Sequence, residues 1–399
     1  MHKKRPKKVQ DETEQPLSRE DARRRHKKRA RRLMWKRIII VAVIAVTALL
    51  VWRNWDVLAP DKLLVKLQDL IGNATGTYPV DISGTDVRTI AHGGDYTVVL
   101  SDSYLTYYNE KGGEVTRYSC TYAEAQLRTA GKYVLVAEVG GKRVQLSTRS
   151  SVVQDLTMER KILAVDVTSD GRFAVLTEGA QGYAVELLVY DQKGTQLYRR
   201  SRAAVATDVT LSPDGKTVAL LSVDATNGVL STSVEAFSLA SSDPKPMYSH
   251  VAADTLLYRV EFLTNDRLAA VGENGALLCP LGGQAVSFAI GNQQLLGYAA
   301  SADGVALVLR PLGETDGGSV VVVDGEGRQS CRVPFTGEFR HLTENEGQYL
   351  LLTDSVAQLI TVEGASSSVE VAADSQQAVL FRDSVVVLGL SSLQKFELS

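Results

Sequence analysis

Residues 211–223, LSPDGKTVALLSV, set a tight polar turn between apolar runs, and versions of this unit return at near-even spacing to the end of the chain. Ser212, Pro213, Asp214 and Gly215 supply the turn chemistry: Pro fixes φ, Asp bonds the backbone beyond it, and Gly accepts a positive φ. The β-branched and aliphatic residues that follow have strand character. Related turns stand at Gly94, Gly131, Gly171, Asp266, Gly304, Gly347 and Asp383, with steps of 36 to 51 residues between neighbours. A hairpin that returns every ~40 residues is the signature of a β-propeller, in which each repeat is one blade-shaped sheet packed on the next. Eight turns predict an all-β ring of eight four-stranded blades. Dividing residues 77–399 by seven also gives acceptable blade lengths and is the alternative.

The ends of the array predict how the ring closes. After Asp383 about sixteen residues remain, room for two strands, SVVVLGL and LQKFEL. Residues 376–380 add one strand before the turn, so the last blade lacks its fourth. At the other end TYPVDI, residues 77–82, precedes DVRTIAH, which reads as the inner strand of the first blade, and is surplus. Moved to the last sheet, it completes that blade and covers an edge otherwise open to aggregation.

The N-terminal part has another character. Residues 1–37 hold sixteen Lys or Arg against five Asp or Glu and almost no large apolar residues, the composition of a disordered tail. Its run RRRHKKRARR suits a nucleic-acid patch, yet it abuts an apolar segment, where basic residues set membrane orientation. That segment, IIIVAVIAVTALLVW at 38–52, carries no charge. The chain's three tryptophans, Trp35, Trp52 and Trp55, bracket it as interfacial anchors, and Lys36, Arg37 and Arg53 reach outward to the headgroups. From Trp35 to Trp55 a helix rises ~30 Å, enough to cross a bilayer core. An uncleaved signal anchor over residues 38–55 is therefore expected. A leader cleaved at Val46-Thr47-Ala48 is the rival, and the long basic leader and the apolar residues beyond that site stand against it. With the positive charge ahead of the span, residues 1–37 are expected in the cytoplasm and everything after Arg53 outside. Residues 56–76 read as a short amphipathic helix, with Leu63, Leu64, Leu67, Leu70 and Ile71 on one face, and a linker into the propeller at 77–399.

Charge and cysteine use limit the exterior part. Beyond Arg37 the chain carries a net charge of about −13, which argues against nucleic acid or anionic polymers held by bulk electrostatics and leaves only local basic patches. Cys120, Cys279 and Cys331 fall in different blades with no C-x-x-C spacing, so no metal or redox motif is supported. His92, His250 and His341 each stand alone, and there is no G-x-S-x-G elbow or P-loop. The turn carboxylates Asp170, Asp214 and Asp303 come singly, which suits turns better than calcium. No catalytic, cofactor or metal residue is assigned, and no cofactor is expected. The longest step, Val223 to Asp266, is expected to leave its blade as a long loop, a common place for recognition on a rigid scaffold. Ser238, Ser241, Asp243, Lys245, Met247, Tyr248 and His250 are its candidate partner-binding residues.

The SPDG hairpins resemble the TolB and YVTN class of bacterial propellers, without the Trp-Asp or Gly-His signature of true WD40 repeats. More closely, the order of basic tail, single span, amphipathic helix, YPVDISG strand, KILAVDVTSDGRFAVLTEGAQGYAVELLVYD and VTLSPDGKTVALLSVDATNG resembles a family of single-pass, membrane-anchored β-propellers of unknown function from Gram-positive bacteria. The likeness runs from about Trp52 onward. It implies a bacterial cell-surface setting and brings no catalytic residues with it. These readings predict a non-enzymatic, membrane-tethered, extracytoplasmic module that binds or scaffolds a protein or cell-envelope ligand. A propeller hydrolase, lactonase-like or glycan-acting, and a transmembrane sensor are the alternatives. Protease added to intact, wall-stripped cells is expected to cut the propeller loops and spare the basic tail; a digested tail beside an untouched propeller reverses the orientation.

Overall fold

Every recurring turn closes the hairpin between the first and second strands of a four-stranded antiparallel sheet. The computed structural model describes residues 75–398 apart from 227, 242 and 244, and among them there are eight such sheets. The expected basic tail, span and amphipathic helix, with Trp35, Lys36, Arg37, Trp52, Arg53 and Trp55, lie outside the described residues. Blades 1 to 8 occupy residues 87–119, 125–157, 162–202, 205–253, 257–289, 293–335, 339–370 and 377–397. First strands of neighbouring blades touch all the way round, so the first strand of each sheet lines the channel and the fourth faces outward. The ring has eight blades, not the alternative seven.

Closure follows the strand count. The last sheet runs Gln377–Leu380, Ser384–Leu388, Ser392–Glu397 and then Val80–Asp81, with Val80 opposite Leu393 and Asp81 opposite Ser392. Tyr78 and Val80 pack on the layer of Ile82, Ile90, Val99, Val386, Leu388 and Leu393 between blades 8 and 1.

The core is a series of such layers between blades. Between blades 3 and 4, Leu176, Leu187 and Tyr198 meet Val209, Leu220 and Phe237. Second strands are covered on both faces by neighbouring blades, which is why they read as unbroken apolar runs such as YTVVLS (Tyr96–Ser101) and QYLLLT (Gln348–Thr353). Fourth strands such as Glu114–Ser119 alternate with solvent and carry the polar residues. The reference turn works as its residues require. Thr217 N–H donates to Ser212 Oγ at 3.0 Å, Lys216 N–H to Asp214 Oδ1 at 3.1 Å, and Gly215 takes φ 63°. Asp170 is used in the same way in blade 3, where Arg172 N–H donates to its carboxylate at 3.2 Å.

Antiparallel sheets put these turns, and the connections between third and fourth strands, on one side of the ring, here the turn face. Hairpins between second and third strands and the links between blades share the other side, the crossover face. This corrects the expectation for residues 223–266. DATNGVLS does not leave as a loop; it lengthens the second and third strands of blade 4, Thr217–Thr226 and Val229–Ser238, which stay paired to Thr226↔Val229 at the crossover face. Among the described residues, 239–241, 243 and 245–247 form the loop between the third and fourth strands, and it lies on the turn face. The extra length is thus divided between opposite sides. Cys279 is buried in its strand, Cys331 is half-buried in another, and Cys120 is buried just past the end of a strand; all three are free thiols.

A propeller beginning at Ser83 loses the outer strand of blade 8 and the buried Ile82, burial worth on the order of 5 kcal/mol with Tyr78 and Val80. Thermal unfolding is expected to show a clear drop in Tm relative to a chain beginning at Ala74; equal values overturn the closure.

Candidate functional site

The channel-lining strands have only one sheet neighbour, so half of their backbone N–H groups need partners elsewhere. Side chains from the preceding blade supply them. Val165 N–H donates to Gln126 Oε1 (3.3 Å), Leu211 N–H to Asp166 Oδ2 (2.7 Å) and Val260 N–H to Asp208 Oδ2 (2.9 Å). Ala378 N–H donates to His341 Nδ1 (3.3 Å) and Ile90 N–H to Gln377 Oε1 (3.0 Å). Asp208 and His341 each follow a β-bulge, which adds a residue and re-aims the side chain.

Around Arg259 the channel charge is internally matched. Arg259 bonds Asp208 at 2.9 Å and Glu261 at 3.1 Å. Burial disfavours the Arg259 charge, but these two carboxylates outweigh it and hold the guanidinium cationic. Burial pushes Asp166 up to about 6 against the opposing pull of the Leu211 N–H and of Arg128 and Arg259. Burial likewise pushes His341 down to about 4. Among the described residues no three His, Cys, Asp or Glu side chains converge as a metal set.

A cleft of about 530 Å³ opens on the outer wall, where the fourth strand of blade 3 (Gln196–Arg202) meets the 239–247 loop of blade 4. Leu197 to Arg202 form one wall, and Leu239, Ala240 and Ser241 the other. Arg200 stacks 4.3 Å from the Phe237 ring centroid and donates to the Asp243 carbonyl at 2.5 Å, so it pins the loop to the neighbouring blade. Arg199 bonds Glu186 at 2.8 Å, and Arg202 pairs with Glu235. Both glutamates are largely buried behind the arginines.

The structure sorts the seven residues expected on the loop. Ser241 lines the cleft, and Asp243 closes it through its carbonyl. Ser238 Oγ and Asp243 Oδ1 accept from Ala240 N–H and Lys245 N–H and shape the loop, leaving Lys245 exposed. Met247, 54% exposed, lies just before the fourth strand of blade 4. Tyr248 is a correction: it is 8% exposed and packed between blades 4 and 5 beside Leu257 and Cys279. His250 sits within that strand, opposite Val234, rather than on the loop. Arg199, Arg200 and Arg202 were not among the expected residues. Their signal was the run YRRSR, a concentrated positive charge in an acidic domain.

A model of a family of unknown function, DUF5711, matches residues 75–388. The chain belongs to this family. The family match runs from the closing strand of the ring into the last blade. The fold is similar to that of BamB from Moraxella catarrhalis, with TM-score 0.51 and 11% identity over 81% of this chain and 99% of that one. It is also similar to Saccharomyces cerevisiae Sqt1, with TM-score 0.55 and 10% identity over 80% and 98%. No curated protein matches the sequence.

Asp166 and His341 titrate in one pH window with opposite signs. Asp166, raised in the fold, contributes stability below pH ~4 that is lost as pH rises through about 6. His341, lowered in the fold, contributes stability above its unfolded value near 6.5 that is lost as pH falls through about 4. Relative to the parent, Asp166→Asn is expected to gain up to ~3 kcal/mol as pH rises from ~4 to ~7. His341→Gln, which keeps an acceptor for Ala378, is expected to gain as pH falls over the same range. Urea unfolding across pH measures both, and pH-independent differences refute the assignment.

Proposed function

We propose that the chain is a membrane-tethered, extracytoplasmic propeller that binds a protein or cell-envelope ligand without turning it over, with the cleft between blades 3 and 4 as its ligand surface. One observation carries the reading: the nine residues lining the cleft include three arginines and no carboxylate, in a domain whose net charge is negative. The wall strand Gln196–Arg202 is the outer edge of its sheet, so its outward N–H and C=O groups are available to an extended chain laid along it. Arginine beside such an edge supplies charge-assisted bonds to carboxylates, which suits an acidic, extended segment of the ligand.

Binding is favoured over hydrolysis because three of the channel carboxylates, Asp166, Asp208 and Glu261, are already engaged. Asp208 and Glu261 serve Arg259, and Asp166 serves Leu211 and Thr210, the latter at 3.1 Å. A general base needs a free lone pair within reach of substrate. The tether is supported by the uncharged run at 38–52 with its flanking tryptophans.

Arg199→Ala with Arg200→Ala is expected to weaken binding of a fluorescent Glu-rich peptide to the full-length protein about tenfold in anisotropy titrations. Lactone, ester and glycan panels are expected to show no turnover. Unchanged peptide affinity removes the cleft as the ligand surface, and specific turnover abolished by Asp208→Asn replaces the scaffold with an enzyme.

A further inference from the structure

The two faces of the ring differ in chemistry. On the crossover face the connecting segments hold eleven Asp or Glu against three basic residues, Lys142, Arg160 and Lys161. On the turn face the connecting segments hold twelve acidic and nine basic residues, a mixed surface. The crossover face also carries most of the large apolar side chains left in solvent. Five of them, Tyr183, Val205, Val229, Leu230 and Tyr258, belong to blade 3, blade 4 and the start of blade 5. Isolated exposed apolar residues are ordinary, but several in one sector of an acidic face are not.

The lengthened hairpin of blade 4 raises this sector. The first strand of the blade begins opposite Val223 and the fourth ends opposite Ser231, with Asp254 N–H still donating to the Leu230 carbonyl at 2.9 Å, so the pair Thr226↔Val229 stands beyond both neighbours. That further pair lifts the tip by ~3 Å. Residue 76 lies on the other side. A Cβ on Gly76 would overlap the backbone of Gly112 and Gly113, in the turn between third and fourth strands of blade 1, so residue 76 lies on the turn face.

We propose that the crossover face, centred on blades 3 to 5, docks a protein partner whose contact surface presents aliphatic or aromatic side chains ringed by Lys and Arg. The apolar tip supplies a buried anchor, and the net acidity of the face, with Asp254 beside the tip, selects a basic rim. The same acidity disfavours an anionic bilayer, and it disfavours a second copy of this face, which would set carboxylate against carboxylate. The inference rests on the scaffold reading but uses a surface separate from the arginine cleft, so the protein would hold two ligands at once.

The test is photocrosslinking of the full-length chain in its own cells, with a photoreactive phenylalanine analogue in place of Tyr183, Val229 or Leu390 on the crossover face, or Met247 or Val362 on the turn face. A single identified protein is expected to attach at Tyr183 and Val229 and not at Met247 or Val362, through a peptide in which apolar residues are flanked by Lys or Arg. Purified, that protein is expected to bind the full-length chain, with affinity falling about tenfold or more for Val229→Asp with Leu230→Asp. A several-fold fall from about 0.1 to about 0.5 M salt is also expected. Both side chains are already solvent-exposed, so an unchanged Tm verifies the fold, and Tyr258→Glu gives an independent variant. Adducts with lipid or with a second copy, equal yields on the turn face, an acidic partner surface or no adduct at all each overturn the proposal. An intact Val229 adduct in an Arg199→Ala, Arg200→Ala background shows that the two sites stand or fall separately.

Discussion

The ring depends on what happens at the inner edge of each sheet. Eight separate four-stranded sheets share no continuous ladder, and among the described residues the one isolated bridge between blades is Val139↔Ile162. Apolar layers press neighbouring blades together, but such layers are tolerant of sliding, because burial is proportional to area and nearly indifferent to direction. The acceptors Gln126, Asp166, Asp208, His341 and Gln377 are directional. Each takes an N–H from the first strand of the following blade, all in the same sense around the channel. They satisfy edge donors that would otherwise be unpaired and fix each blade's height and tilt against the next. The channel is polar for this structural reason before any question of ligand arises.

What could be read from the sequence follows from the range of each interaction. The turn at Gly215 is built from neighbours within five residues, so its chemistry is visible in SPDG. Two-sided burial likewise shows directly in runs such as GVALVLRP. Even the closing strand followed from counting, since a missing strand and a surplus one must meet. The acceptors across the channel were not legible, because their partners lie 37 to 52 residues away, or 287 for Gln377 and Ile90. A lone His341 or Asp166 in a linear reading has no visible partner.

The long insertion shows a different kind of error. Counting residues between Val223 and Asp266 located the extra length correctly but gave no sign of where it would go. The dipeptide Asn227-Gly228 between alternating residues is itself a hairpin signal, and it marks a continuation of strand pairing through Ala225↔Leu230. The cleft needed two elements 43 residues apart, Arg200 and Asp243, and only the fold sets them side by side. Tyr248 was lost from the loop for the opposite reason. Its position in the chain is local, but its burial is decided by blade 5.

A propeller has two broad faces and an outer wall, and a stiff ring makes them independent binding surfaces. Here they differ in sign. The cleft on the wall concentrates guanidinium groups within an acidic domain, whereas the crossover face sets an apolar hairpin on a side whose connecting segments are mostly acidic. Long-range attraction to the acidic domain as a whole would draw basic partners and repel acidic ones, so an acidic ligand must reach the cleft through short-range contacts. The approach of a basic partner to the crossover face is helped by the same field that hinders the other ligand. Raising salt should therefore move the two affinities in opposite directions, chiefly through the association rates, because screening acts on the encounter, while the buried contacts that hold each ligand are screened much less.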